Sequence, residues 1–273
     1  MNITWDSEAE KMLRRVPFFV RKGVRTKVEE EVAAAGRSLV TRKDLEESKR
    51  KHLKSLSEGI KGYSLEACFG SSGCHNAVVS SADMVSDLDI LLEKADLLTF
   101  LRSRLGERLK LHHQLRITIA DCPNSCSQPH IKDIGIIGQA QMACNPQECM
   151  GCGECEASCE ESAIVLNDGF VVSIDDKLCV QCGACAQICP TDSLSSTAGT
   201  FRVLVGGKLG RHPQLAQQLT RDLDGKQVLK LVGVIVDFFK ANAKSGERLA
   251  TVINRVGWEE FKKSVQQRKK VVL

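Results

Sequence analysis

All thirteen cysteines of this 273-residue chain fall between Cys68 and Cys189, and neither end has one. That concentration constrains the fold more than any other feature. Small secreted domains use thiols as disulfide staples, but this chain is too long to need them. Its polar start, MNITWDSEAEKMLRR, has no signal-peptide pattern. A cytoplasmic location is therefore expected, where clustered thiols serve as metal ligands or redox groups. The most apolar stretch, 228–239, is interrupted by Lys230 and Asp237, so no membrane span is expected. Aromatics make up only 4% of the residues, which leaves the core to Leu, Val, Ile and Ala.

Charge is as uneven as cysteine. The formal net charge of +4 hides an acidic centre between basic ends. Residues 141–200 carry one Lys against nine Asp and Glu, whereas residues 201–273 carry 15 Lys and Arg against six acids. Residues 1–62 are also basic, with 15 cations against 10 acids. No basic run is interleaved with aromatics, so nucleic acid is not an expected partner. Many of these charges are ordinary solvated helix faces, and a basic shell around a polyanionic cofactor accounts for the rest.

Periodicity predicts a mixed α/β chain. Helices are expected over Glu8–Arg15, ended by Pro17, and over Val24–Ala35, stopped by Gly36 at its C-terminus. Thr41 and Asp44 have the spacing of a capping box opening a third helix, to about Ser57. Gly59 to Gly62 reads as a linker. Ala82 to Leu109 repeats apolar residues at helical spacing. Strands are expected at Leu115–Ile119, Ile131–Gly138 and Phe201–Val205, and helices at about 213–222, 227–243 and 247–266.

Cys149-Met-Gly-Cys152-Gly-Glu-Cys155-Glu-Ala-Ser-Cys159 has the spacing of a bacterial ferredoxin cluster run, and Cys179-Val-Gln-Cys182-Gly-Ala-Cys185-Ala-Gln-Ile-Cys189-Pro190 repeats it. Three thiolates so spaced wrap one corner of a cubane, and the fourth ligates the other cluster. Cys149, Cys152, Cys155 and Cys189 are thus expected to hold one [4Fe–4S], and Cys179, Cys182, Cys185 and Cys159 the other. Gly169 to Ile174 suits the strand pair of such a module. Structural zinc also accepts four thiolates, but it has no need of two symmetric runs.

Five cysteines remain. Cys68-x5-Cys74 and Cys122-x3-Cys126 place four thiols in two loops, the second just after a strand. A third cubane, a zinc ion or two pairs of buried thiols all suit that pattern. Cys144 belongs to no set and reads as a buried thiol or an alternative ligand.

Asp121-Cys-Pro-Asn-Ser-Cys126, its approach Arg116–Ala120 and its exit Asp133–Gly138 resemble a cluster motif of the sirohaem-containing sulfite and nitrite reductases. Gly206-Gly-Lys-Leu-Gly210-Arg-His-Pro213 is similar to the loop that follows it in that family, and a ferredoxin module between the two pieces is similar to the dissimilatory sulfite reductases. The resemblance spans about residues 64–266. It implies that Cys68, Cys74, Cys122 and Cys126 hold a third [4Fe–4S] and that Cys126 also bridges to a sirohaem iron. Asn124 and Ser125 are then expected against the macrocycle, with Arg202, Lys208 and Arg211 facing its carboxylates. The implied activity is reduction of a small oxyanion, sulfite or nitrite, under anaerobic conditions, with electrons from a donor protein. The alternative is a non-catalytic iron–sulfur electron-transfer subunit of a larger redox complex.

The implied architecture is a reductase-like half at 61–140 and 198–273, a two-cluster ferredoxin insertion at 141–197 and a helical module at 1–60. Family reductases pair two related halves, and residues 1–60 do not read as the missing one, so substrate-side cations are unknown. Trp5, Val16–Arg21, Arg25, Glu29 and Gly36 instead resemble a small module of light-independent protochlorophyllide reductase. Completion of the cofactor pocket is expected from Arg14, Arg15, Arg21, Lys22 and Arg25 of this segment together with a partner subunit or a homo-oligomer.

Overall fold

A computed structural model describes residues 3–271, and these fall in two compact units whose boundary along the chain lies between Ile60 and Lys61. In the first, β1 (Thr4–Trp5) pairs in parallel with β2 (Leu39–Val40), and three helices surround them: α1 (Ser7–Arg14), α2 (Phe18–Ala34) and α3 (Arg42–Glu58). Asp6 caps α1 by accepting from the Ala9 N–H. Helix α2 starts earlier than its periodicity predicts, because Pro17 fits the position before a first turn. Gly36 takes the expected left-handed conformation (φ 71°) and lets the Arg37 N–H reach the Val32 carbonyl. Asp44 accepts from both the N–H and the hydroxyl of Thr41, as the capping-box spacing predicts. The module's core is small: Ala9, Leu13, Val28, Val32, Val40 and Leu45.

The second unit is organised by a five-stranded sheet in the order β3 (Tyr63–Ala67), β4 (Leu115–Ala120), β5 (Ile134–Cys144), β8 (Leu194–Val205) and β9 (Gln217–Leu223). Strands β3, β4 and β5 run parallel, whereas β8 and β9 are antiparallel to their neighbours. A parallel pair needs a long crossover, and α4 (Ala82–Lys94) with α5 (Leu97–Leu105) supplies it between β3 and β4. Helix α8 (Gly225–Asn242) joins α4 on one sheet face, followed by α9 (Leu249–Val256) and α10 (Trp258–Val271). Their apolar stripes and Ile117, Ile119, Ile134, Ile136, Val203 and Val205 make the principal core.

Strand β4 ends opposite Ile137, but β5 and β8 continue as a two-stranded ribbon to the Cys144–Leu194 pair. The cysteine-dense segment hangs from that ribbon. It contains two short helices, α6 (Glu154–Ala157) and α7 (Ala184–Ile188), and a hairpin of β6 (Ile164–Asn167) and β7 (Phe170–Ile174).

Three expectations are corrected. The helix expected over 213–222 is β9, whose apolar and polar residues serve an edge strand on β8; tertiary pairing overrides local preference there. Ala82–Leu109 is broken at Asp96, left-handed at φ 47°, which caps α5. The helix expected over 247–266 is broken at Gly257 (φ 100°). Among the described residues no helix is long and apolar enough to cross a membrane.

Candidate metal centres

The hanging segment folds its two runs across each other. One hollow is lined by Cys149, Cys152, Cys155 and Cys189, the last from the other run. A second is lined by Cys159, Cys179, Cys182 and Cys185, again with one thiol exchanged. The structure therefore brings together the two sets expected from spacing. The turns Gly153 and Gly183 are left-handed (φ 77° and 78°), which starts α6 and α7 directly after the second cysteine of each run. Backbone N–H groups point at the sulfurs: Val171 to Cys149 (3.3 Å), Ala163 to Cys159 (3.3 Å) and Gln181 to Cys179 (3.4 Å). Among the described residues, no three His, Cys, Asp or Glu side chains stand close enough to share one ion.

Burial and the nearby thiols of Cys179, Cys182 and Cys159 push the Cys185 thiol up to about 11. Burial pushes Cys155 up too, with Cys152 and Cys189 adding to it. Cys189 is the exception. Burial opposes its ionisation, yet N–H groups of Leu194, Thr191 and Ser193 and the Thr191 hydroxyl together hold it below the usual thiol range. Cys144, at the end of β5, packs into the same small apolar cluster as Cys149, and burial raises its thiol. It lines neither hollow.

The remaining four thiols meet where two parallel strands end. Cys68 follows β3 and Cys122 follows β4 by one residue, so strand pairing places them side by side. The Cys68 N–H donates to the Ile119 carbonyl (2.9 Å), and the Asp121 and Gly70 N–H groups donate to its sulfur (3.2 and 3.3 Å). Burial raises the Cys122 thiol, and Cys68, Cys126 and Cys74 lie near enough to raise it further. Cys126 is exposed, as is Asn124, and Ser125 is half-buried with φ 56°. The Ser125 hydroxyl donates to the Pro123 carbonyl (2.9 Å), so its hydrogen is committed to the turn. Ser127 ties that turn to β4 by donating to the Ile119 carbonyl (2.8 Å).

Sequence reasoning missed two supports of this site. Asp121, fully buried, packs against Gly70, and its carbonyl accepts from Val78 and Val79 (3.0 and 3.3 Å), locking the Cys74 loop onto the Cys122 loop. Its carboxylate oxygens have no partner among the described residues. Asp133, also fully buried, accepts from the Arg248 guanidinium (2.7 Å) and the Arg116 N–H (2.9 Å). A lone Asp beside a motif gives no hint of an ion partner so far along the chain.

Strand β5 passes all three thiol sets. Gly138 packs against the Asp121 carbonyl and Val79, so close that a Cβ would stand 2.7 Å from that oxygen. Ala140 donates to the Gln181 carbonyl (2.8 Å), and Gly183 packs on Ala140 and Val78. Met142 lines the Cys179 hollow, and Cys144 lies beside Cys149. At about 3.3 Å per residue, Gly138 to Cys144 measures roughly 20 Å. The sets therefore follow in the order Cys122, Cys179, Cys149 outward from the sheet.

Of the expected cofactor contacts, Arg202 is the most telling. Phe201 and Val203 face the helices, so Arg202 points from the opposite face, beside His130. Burial lowers its affinity for a proton, and its buried Nε has no partner among the described residues. An unpartnered buried N–H on a half-buried guanidinium is costly, and an anionic ligand would satisfy it. The glycine loop lies alongside: Gly207 fits so tightly against the carbonyls of His130 and Lys132 that a Cβ would stand 2.5 Å from the latter. Lys208 is half-buried, 3.5 Å from the Thr251 hydroxyl, and Arg211 is exposed. In the N-terminal unit, Arg21 and Arg25 are committed internally. Arg21 donates to the Arg14 and Val16 carbonyls, and Arg25 joins Glu29 while stacking over Trp5. Arg14 stands 3.9 Å from Glu10, and Arg15 lines a groove of about 1010 Å³ that contains no cysteine.

Residues 61–273 match the family described as nitrite and sulphite reductase 4Fe-4S domain. The chain belongs to that family. Residues 5–49 match a second, the proto-chlorophyllide reductase 57 kD subunit. This nitrite and sulphite reductase domain is 29% identical over 167 residues to the dissimilatory-type sulfite reductase beta subunit of Archaeoglobus fulgidus, covering 56% of this chain and 46% of that one. Identity to the coenzyme F420-dependent sulfite reductase of Methanocaldococcus jannaschii is also 29%, over 80% of this chain and 33% of that one. The chain thus spans a third to a half of these relatives. A solved dissimilatory sulfite reductase I shares the fold, with a TM-score of 0.53 at 19% identity over 74% of this chain and 51% of that one.

Proposed function

We propose that this chain is an iron–sulfur oxidoreductase of the sulfite and nitrite reductase type, binding three [4Fe–4S] clusters and a sirohaem. The observation that carries the reading is the gathering of Cys68, Cys74, Cys122 and Cys126 at the ends of two parallel strands. With the two crossed sets on the ribbon, twelve of the thirteen cysteines have a place. Cys126, the exposed member of its set, would be the residue that bridges cluster and sirohaem. Arg202 and Lys208, with exposed Arg211, would bind the macrocycle's carboxylates, and Gly206-Gly207 would bring backbone amides close. Asn124 and Ser125 would lie against it. When bound, the sirohaem supplies the iron at which a small oxyanion, sulfite or nitrite, is reduced. Cations on the substrate side would hold the anion and favour loss of its oxygens. In this reading a partner subunit or a second copy supplies that side.

The two ribbon-borne thiol sets also suit a second reading, an electron-transfer subunit without a catalytic haem. One experiment separates them. Anaerobically purified protein is expected to contain about twelve acid-labile sulfides and a red-region sirohaem band. Twelve sulfides with no such band would favour the electron-transfer subunit, and about eight would remove the sheet-borne cluster and the reductase reading with it.

A further inference from the structure

We infer that the outer face of the β6–β7 hairpin, with the adjoining Met150 loop, is the docking surface for a small basic one-electron carrier protein. The inference rests on the cluster assignment above and adds where, and to what kind of protein, the chain connects.

Along β5 the three thiol sets stand at increasing distance from the sheet. The Cys122 set lies at the sheet, and Gly183 of the Cys179 set packs on Val78 and Ala140. The Cys149 set is farthest out, and its Cys152 is exposed. Around it the surface is unusually apolar. Met150 is 62% exposed, Phe170 50%, Val172 47% and Val165 42%. These are neighbours: the Phe170 ring packs on Gly151, between Met150 and Cys152, and Val165 and Phe170 stand on the hairpin face opposite buried Val171. A cluster of exposed apolar side chains rimmed by charge marks an interaction site.

The rim fixes the partner's sign. Glu148, Glu154 and Asp168 are exposed beside the patch, and Lys177 is the single cation among residues 141–200. A partner with an apolar centre and a basic border would cover the patch and be steered to it. Docked there, the carrier loses one electron and the adjacent cluster gains one, with no bond made or broken.

Cytochrome c, a small basic haem protein, serves as the probe, with the full chain loaded anaerobically. The triple variant Glu148→Lys, Glu154→Lys, Asp168→Lys is compared with a charge-matched control, Asp87→Lys, Glu93→Lys, Glu107→Lys, on the sheet-bearing part. Calorimetry of the oxidised proteins is expected to give about 10- to 100-fold weaker binding for the first variant, with a flattened salt dependence, and wild-type affinity for the control. Phe170→Ser is expected to weaken binding several-fold, roughly what loss of an apolar anchor costs, without altering the salt dependence. All variants should retain wild-type iron and sulfide. The idea is overturned by equal weakening in both triple variants, by no measurable binding to wild type, or by a wild-type dimer that the first variant dissolves, since a second copy would then own the surface. Absence of labile sulfide in wild type would instead sink the cluster assignment itself, whatever the binding data gave.

Discussion

The ribbon-borne thiol sets and the sheet-borne set are built in opposite ways. On the ribbon, each hollow takes three cysteines from one short turn and a fourth from the other run. At the sheet, two loops separated by the α4–α5 crossover meet because β3 and β4 pair in parallel. Local turns can therefore prearrange most of a ribbon site, whereas the sheet site exists only when the large core has formed. Damage to that core should fall on one kind of site and spare the other.

The sharpest way to break the comparison is Asp133→Ala. It leaves the Arg248 guanidinium, 19% exposed, without its carboxylate and the Arg116 N–H without its acceptor. Loss of one partner of a buried ion pair costs about 3–5 kcal/mol. Urea unfolding of the sheet-bearing unit is expected to shift by that amount, with the ribbon sites still loading at low urea. A change below about 1 kcal/mol, within the range of surface pairs, would mean that the pair is not what holds β4 and β5 to α9.

A smaller but more selective effect is expected from Gly138→Ala. Its new methyl meets Val79 and the Asp121 carbonyl, the joint between the Cys74 and Cys122 loops. Labile sulfide should fall from about twelve to about eight, one cubane of three. The counterpart Gly183→Ala forces a left-handed residue (φ 78°) against Ala140 and is expected to cost about 1–2 kcal/mol while changing sulfide only at the ribbon. Equal losses at both sites in either variant would show that the sets are coupled, contrary to their separate construction. Cys144→Ser, beside Cys149 but lining neither hollow, should leave the sulfide count unchanged.

The smallest effect belongs to the N-terminal unit and is set by pH. The Arg37 guanidinium, then the Thr41 hydroxyl and N–H against the opposing cost of burial, hold the Asp44 carboxyl down at about 2. Its folded value lies below its unfolded one, so this contribution is full above about pH 4, the ordinary carboxylate range, and is lost as pH falls toward 2. Partly solvated, the group is expected to contribute about 1 kcal/mol. Acid titration of helicity in Asp44→Ala should lack that step, and a wild-type-like acid limb in the variant would remove Asp44 from the account.

The sequence by itself determined the three-cysteine turn of each ribbon set, since cysteines three residues apart with glycine between them dictate a tight left-handed turn whatever surrounds it. It also determined the caps at Gly36 and Thr41–Asp44, which depend on neighbours a few residues away. The strand at 217–223 was not legible, because an edge strand takes its conformation from the partner it pairs with. Nor was the joining of Asp133 to Arg248, of Asp121 to Val78, or the order of the three sets along β5. Those depend on where a parallel crossover returns the chain, and on a carbonyl or carboxylate finding a donor distant in sequence. Tertiary structure decided them because a buried polar group must be satisfied by whatever the finished fold brings within about 3 Å, and no local pattern records what that will be.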